Sequence, residues 1–442
     1  MTYDSSAVTR TPASSSPALT DDSLDKLYAK VTRRLIPFLL LCFVGAFLDR
    51  VNISFAKLQM SSDLGFSETT YGIGAGIFFL GYFLFEVPSN ILLHRIGARI
   101  WIARIMITWA ILSAAVMFVR TPASFYVLRF LLGAAEAGFF PGVILYLSRW
   151  YPSARRGKVI ALFMIGFPLA SIIGGPLSGW IMQGLHGAFG LAGWKWLFLI
   201  EAVPSLILGV ATMFYLTERI ADAKWLDEQE RRVLAEALSQ ERVEAQRTSI
   251  AGALTDWRMW YLGAILFLIG LGMYGLVFWL PTLIKLSGIS HPLQIGLLSA
   301  GPNIAGAIAM VTLGRSADRR RERRWHIALS GFVGALGLAG AALWPDQTFV
   351  AMIAICVAAI GIFPAAPVFW GIPARLLGGA GAAAGIAMIN SIGNLAGFFA
   401  PAFFGWIKDA THSTMAGLLA FAFALCVSAI LVLLLPRHIA NR

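Results

Sequence analysis

The sequence predicts an all-α membrane protein with twelve transmembrane helices in two pseudo-symmetric six-helix bundles. Three observations support this fold class. Of the 442 residues, 58% are hydrophobic and only 13% are charged, and the mean hydropathy is +0.74. Apolar runs long enough to cross a bilayer recur along the chain. One long polar segment divides these runs into two sets of six, and the composition excludes a water-soluble fold.

Each apolar run is predicted to be a helix, because a hydrocarbon core about 30 Å thick needs about 20 apolar residues and a self-satisfied backbone. The first run covers residues 35–57 and the last covers 412–436. The predicted organisation is a disordered cytosolic tail at 1–33, an N-terminal bundle at 34–217, a cytosolic central loop with a surface helix at 218–256, a C-terminal bundle at 257–436 and a cytosolic tail at 437–442.

The basic residues predict the direction of the helices. Most of the 35 Lys and Arg fall in the N-terminal tail and in alternate loops. The remaining loops hold Lys57, Arg120, Lys195, Lys285 and Lys408. Because short basic loops stay in the cytosol, we expect a multi-pass protein of the inner (plasma) membrane with both termini cytoplasmic. The net charge of +12 is then a topology signal, and no nucleic-acid partner is expected.

The two halves resemble each other, which indicates an internal duplication. Asn90-x-x-x-His94-Arg95 follows the second predicted helix, and Gly314-x-x-x-Asp318-Arg319 follows the eighth. Corresponding segments of this kind are typical of transporters built from repeats.

Ionisable side chains inside the predicted helices are candidates for a functional site. Each costs about 2.5 to 3.5 kcal/mol at the centre of a bilayer, so it should face protein or a water-filled cavity. They lie in the first half, at Asp49, Arg50, Glu86, Arg129 and Glu136. The second half offers uncharged side chains instead, among them Tyr274, Trp279, Asn303, Trp370, Asn390 and Asn394. We expect the first half to handle charge and the second to recognise shape and polar groups.

Helix geometry places several of these groups near one another. Asp49 lies about 12 Å and Arg129 about 10 Å from the outer ends of their helices, so the two could pair. Glu136 follows Arg129 by seven residues and shares its helix face, about 10 Å deeper. Arg50 is then left with Glu136 or with a ligand, and its planar fork suits a carboxylate. A structural ion pair, a snorkelling Arg50 and a Glu136 bound to unwound backbone are the alternatives. We interpret Glu201 as a structural partner and expect Glu86 to contact Arg155 or Arg156.

These features resemble the major facilitator superfamily. The similarity includes the Gly314-x-x-x-Asp318-Arg319 signature, which suggests that Arg95, Asp318 and Arg319 contribute to gating. Within the superfamily, three segments are similar to the anion:cation symporter branch. The sequences of the second and third segments most resemble those of tartrate and phthalate permeases. They are Leu48-Asp49-Arg50-Val51-Asn52, Gly81-Tyr82-Phe83-x-x-Glu86-Val87-Pro88-Ser89-Asn90, and Leu128-Arg129-Phe130-Leu131-Leu132-Gly133-x-x-Glu136-Ala137-Gly138-Phe139-Phe140-Pro141.

The resemblance implies roles for particular residues. Arg50 would hold the substrate carboxylate, Asp49 and Glu136 would carry protons, and Arg129 would exchange partners with Asp49. Asn394 and the neighbourhood of Trp370 would line the substrate site in the second half, and we expect Tyr274, one of the uncharged residues named above, to join them. The first-half loop departs from the superfamily pattern at Asn90 and His94, where Gly and Asp are usual.

We therefore expect a secondary active transporter that imports a small organic carboxylate, tartrate-like, phthalate-like or aromatic, by proton symport. The alternative is an organic anion exchanger on the same fold. An enzyme is not expected, because neither a phosphate-binding loop nor a paired-Cys or HExxH metal motif occurs in the sequence. Asp49 beside Arg50 argues against a channel, which would use same-sign rings. We expect no cofactor and no metal, and a monomer that works in the lipid bilayer with a small organic anion and a proton as partners.

Overall fold

A computed structural model of the protein describes residues 21–239, 256–373 and 382–437. Within them, twelve helices are long and apolar enough to cross a membrane, as predicted. The N-terminal six are α1 (Asp21–Leu64), α2 (Glu68–Ile96), α3 (Ala98–Ala115), α4 in two segments (Pro122–Glu136 and Phe139–Ser148), α5 in two segments (Ser153–Met164 and Gly166–Gly184) and α6 (Gly193–Tyr215). The C-terminal six are α7 (Trp257–Leu286), α8 (Pro292–Arg320), α9 (Arg324–Leu343), α10 (Thr348–Phe369), α11 (Ala382–Thr411) and α12 (Thr414–Leu434).

The beginning of α1 corrects one expectation from the sequence. Part of the predicted disordered tail, residues 21–33, is helical and continuous with the first membrane helix; residues 1–20 lie outside the described part. Leu27, Tyr28 and Val31 share one helix face and are buried. The Tyr28 and Tyr151 rings lie 6.0 Å apart, so the segment is held by packing against the loop after α4.

The polar segment between the two halves contains a surface helix at Glu228–Ser239, where the sequence predicts one. Leu234 is its buried anchor, and Lys30 of α1 pairs with Glu230 at 2.7 Å. Residues 240–255 lie outside the described part of the chain.

The helices form two bundles of six that touch along two equivalent seams. Helix α2 packs on α11, and α5 packs on α8. Helix α2 corresponds to α8 in the other half, and α11 corresponds to α5. The two seams are therefore equivalent, as a pseudo-two-fold axis requires. The α5–α8 seam is tight: a Cβ on Gly296 would lie 2.2 Å from the Gly175 carbonyl oxygen, so glycine is needed there.

The bundles are closed together at one end. We call the end that carries the first turns of α1, Arg95 and Arg149 the basic end, and the other the opposite end. At the opposite end, Tyr71 donates a hydrogen bond to the Phe278 carbonyl oxygen across the interface, at 3.1 Å. Gln183 accepts one there from the Leu293 backbone N–H at 3.2 Å. These contacts join the bundles on that side.

Helix α4 breaks immediately after Glu136. Gly138 has φ +91°, a left-handed conformation that favours glycine, and a Cβ there would lie 2.2 Å from Ser89 Oγ. The Ala137 carbonyl, which leaves the helix ladder, accepts a hydrogen bond of 2.6 Å from Ser89 Oγ. The first segment of α4 therefore ends at Glu136, and the backbone carbonyl of Ala137 at the break still has a hydrogen-bond donor.

Candidate functional site

Arg50 of α1 and Glu136 of α4 form an ion pair inside the N-terminal bundle. The Glu136 side chain is 3% exposed, whereas that of Arg50 is 23% exposed. The guanidinium lies 5.4 Å from the centre of the Phe78 ring and 5.6 Å from that of Tyr82, both on α2. Its Nε is buried without a hydrogen-bond acceptor. Arg50 is thus held by one carboxylate and two aromatic rings, and retains a free donor.

Asp49 faces a different set of helices from its neighbour Arg50. Its carboxylate accepts hydrogen bonds from Trp109 Nε1 at 3.0 Å, Ser113 Oγ at 2.8 Å and Ser205 Oγ at 2.6 Å. Adjacent helix residues point about 100° apart, so Asp49 is directed to α3 and α6 while Arg50 is directed to α4. The pairing of Asp49 with Arg129 that their similar depth suggested is wrong in this structure, since hydrogen-bond donors of α3 and α6 occupy the carboxylate.

Arg129 is fully buried and binds backbone instead of a carboxylate. Its Nε donates to the Gly74 carbonyl oxygen at 3.2 Å, and its Nη2 to that of Ala75 at 3.4 Å. The Phe78 ring centre is 5.2 Å from the guanidinium, and Nη1 has no acceptor. The positive charge of Arg129, which shares a face of α4 with Glu136, is therefore held against the backbone of α2.

The C-terminal bundle brings one uncharged side chain, that of Tyr274, to this region. Tyr274 of α7 is partly exposed, and its ring lies 4.8 Å from that of Phe79 on α2. Asn394 of α11 and Trp370, at the end of α10, are also partly exposed. Tyr274 is therefore placed at the boundary between the bundles, beside the α2 segment that carries Phe78 and Tyr82.

The residues predicted to act in gating lie at the basic end. Arg95 and Arg319 are exposed. Asp318 forms an ion pair of 2.9 Å with Arg323 in the turn before α9. This pair ties the end of α8 to the start of α9.

Two further acidic residues have surroundings that the sequence did not reveal fully. Glu201 is buried in α6 and accepts a hydrogen bond of 2.7 Å from Ser178 Oγ of α5, as a partner between helices would. Glu86 is partly exposed, and its two expected partners have other contacts: Arg155 forms an ion pair of 2.7 Å with Asp25, and Arg156 Nη2 donates a hydrogen bond of 3.3 Å to the Tyr151 carbonyl oxygen. The cause is the helical start of α1, which brings Asp25 to Arg155.

Sequence reasoning missed a cluster at the opposite end, which we call the far-end cluster: Lys57, Glu68, Lys408 and Asp409. Lys57 Nζ and Lys408 Nζ each lie 2.6 Å from a carboxylate oxygen of Glu68. Asp409 accepts a hydrogen bond from the Thr69 backbone N–H at 2.8 Å. The cluster connects α1 and α2 with α11.

Lys57 was assigned to a loop because the first apolar run ends there. Helix α1 in fact continues to Leu64, so Lys57 is inside it, and the side chain is 5% exposed. Its Nζ also lies 3.8 Å from the centre of the Trp279 ring of α7. The sequence feature that could have indicated this position of Lys57 is Trp279, since an aromatic ring in a membrane helix can stabilise a desolvated cation.

Comparison with known proteins gives consistent similarities. Residues 39–401 match the Major Facilitator Superfamily. The chain is 47% identical to NicT of Pseudomonas putida, whose name assigns it to metabolite transport, over 96% of this chain and 97% of that protein. It is 50% identical to a protein of Agrobacterium vitis whose name assigns it to tartrate transport, over 95% and 93%. Among solved structures, a bacterial homolog of the human lysosomal transporter Spinster, inward-facing and occupied, has a TM-score of 0.74 at 15% identity and covers 92% of this chain and 96% of its own.

Proposed function

Because the chain belongs to the Major Facilitator Superfamily, we propose that it imports a small organic carboxylate together with a proton by alternating access of its two bundles. Arg50 binds the carboxylate, Glu136 and Asp49 carry protons, and Arg129 is a fixed positive charge in the coupling site. Tyr274, Trp370 and Asn394 contact the rest of the substrate. Arg95, Asp318 and Arg319 act in the gate at the basic end.

The ion pair between Arg50 and Glu136 is the observation that carries this proposal. A substrate carboxylate and the carboxylate of Glu136 compete for one guanidinium. When Glu136 takes up a proton, it loses its charge and the pair weakens, so Arg50 becomes available. The Arg50 guanidinium has an Nε–H without an acceptor, so it can offer a substrate carboxylate two parallel N–H donors in one plane.

The charges also explain why proton and substrate favour each other. With Asp49 and Glu136 ionised, their charges balance those of Arg50 and Arg129. One proton leaves a net charge of +1, which favours the binding of an anionic carboxylate. Binding of each ligand is then stronger when the other is present, which is the reciprocal coupling that symport needs.

We place the basic end in the cytosol of an inner membrane, in line with the positive-inside rule. The closed opposite end then makes this an inward-facing conformation. The Agrobacterium vitis relative suggests tartrate as the first substrate to test, with phthalate and an aromatic monocarboxylate beside it. We propose that a monomer is sufficient, since the whole site lies within one chain.

The test is uptake of labelled tartrate, phthalate and benzoate by proteoliposomes with an imposed pH gradient. Symport predicts accumulation when the interior is alkaline, and its collapse when an ionophore removes the gradient. Uptake that ignores the gradient, but depends on an anion loaded inside the vesicle, would replace symport with exchange. Absence of uptake and of counterflow for every carboxylate would contradict the substrate class.

A further inference from the structure

A basic pocket separate from the transport site lies at the basic end, where α1 meets the end of α6. The cavity is about 350 Å³, and it is lined by Lys30, Arg33, Arg34, Tyr215 and Trp225. We refer to it as the basic pocket. It lies four turns or more along α1 from Arg50, so the proposed transport mechanism does not use it.

The cations of the basic pocket are incompletely neutralised. Lys30 pairs with Glu230 at 2.7 Å. No ion pair in the described part of the chain includes Arg33 or Arg34. Arg33 is exposed, and Arg34 Nε is buried without an acceptor. The pocket therefore presents two guanidiniums that lack an anion.

Aromatic side chains hold the Arg34 guanidinium in place. It lies 4.4 Å from the centre of the Tyr215 ring and 5.9 Å from that of Trp225. Tyr215 Oη also donates a hydrogen bond of 2.9 Å to the Arg34 carbonyl oxygen. Because the guanidinium is already ordered, less conformational entropy is lost when an anionic ligand binds to it.

An apolar surface leads from the basic pocket toward the middle of the membrane helices. Leu41 is 54% exposed and follows Arg34 by seven residues, two turns along the same face of α1. Phe214, next to Tyr215 at the end of α6, is 83% exposed. A ligand that fits both surfaces has an anionic head and a hydrocarbon chain.

We propose that the basic pocket binds the phosphate of an anionic phospholipid, with an acyl chain along Leu41 and Phe214. Arg33 and Arg34 supply forked donors to the phosphate oxygens, and Lys30 adds a point charge. Basic pockets at the ends of membrane helices recognise lipid headgroups through this chemistry. Free phosphate offers the same oxygens but has no chain for the apolar surface.

The experiment measures thermal unfolding of the purified full-length protein in a neutral detergent. Phosphatidylglycerol, phosphatidylcholine and inorganic phosphate are titrated separately. We expect phosphatidylglycerol to raise the Tm and the other two to leave it unchanged over the same concentrations. In the double variant Arg33→Gln/Arg34→Gln, the half-saturating phosphatidylglycerol concentration should rise about 30-fold, since each basic residue contributes about 1 kcal/mol.

The matched control is Arg315→Gln/Arg320→Gln, which removes two exposed arginines from the same end of the molecule. It should respond to phosphatidylglycerol like the wild type. An equal loss in both double variants would overturn the proposal in favour of general surface charge. Equal stabilisation by inorganic phosphate would overturn the lipid assignment. If the double variant does not fold, Arg33→Gln alone should show about a fivefold rise, and no rise there contradicts the proposal.

Discussion

Arg50 and Glu136 face each other across the interior of the N-terminal bundle as an ion pair, with the guanidinium more exposed than the carboxylate. The pair couples a cation able to bind a carboxylate with an acid able to neutralise itself by taking up a proton. The position of Glu136 depends on the break in α4 one residue later, and that of Arg50 on its aromatic neighbours in α2. The chemistry of the proposed symport is thus concentrated in α1, α2 and α4.

Replacing Arg50 with lysine tests whether a planar fork is needed. Arg50→Lys keeps the charge but removes the paired donors, so we expect apparent substrate affinity to fall about ten- to hundredfold. The measurement is the KM of tartrate or phthalate uptake. Arg104→Lys, which changes a partly exposed arginine beside Trp101, is the control and should keep the wild-type KM. An unchanged KM in Arg50→Lys would show that a point charge is sufficient.

The surroundings of Asp49 make a prediction about stability. Three donors converge on its carboxylate. In Asp49→Asn one carboxylate oxygen becomes an NH₂ group, which cannot accept a hydrogen bond. At least one of the three donors then faces this NH₂ group and loses its acceptor. We expect a loss of about 1–3 kcal/mol in unfolding free energy, measured as a lower Tm. An unchanged Tm would mean that Asp49 is already a neutral acid in the resting protein.

The far-end cluster predicts a change in the equilibrium between conformations. Glu68→Gln removes the carboxylate that holds both Lys57 and Lys408, so the opposite end should open more often. Spin labels at Ser62→Cys and His412→Cys, in a background without the native cysteines, should report longer distances in the variant. Glu228→Gln, which breaks an exposed pair with Arg232, is the control. Identical distance distributions for Glu68→Gln and the parent would show that the cluster does not hold this end closed.

The sequence predicted the twelve helices and their division into two bundles because their signal is local. Length and hydropathy decide each span, and the spacing of polar insertions decides the grouping. The same locality caused the errors at helix ends. Residues 21–33 and 58–64, on either side of the first apolar run, extend α1. Tyr28 and Lys57 have tertiary partners there, which no window along the sequence reveals.

Within the candidate site, the ionisable residues could be found from the sequence, but their pairing could not. Depth along a helix placed Asp49 and Arg129 at one level. Their directions depend on which helices are neighbours, and the partners of Asp49 are two serines and a tryptophan with no individual sequence signal. Arg129 similarly binds backbone carbonyls, which every residue has.

The central claim is that a proton on Glu136 frees Arg50 for the substrate, and the variant Glu136→Gln tests it most directly. The neutral amide imitates the protonated acid but cannot release a proton. Proteoliposomes containing the variant should exchange labelled for unlabelled substrate at rates near the wild type, yet show no accumulation driven by a pH gradient. Accumulation equal to that of the wild type under the same gradient would contradict the account.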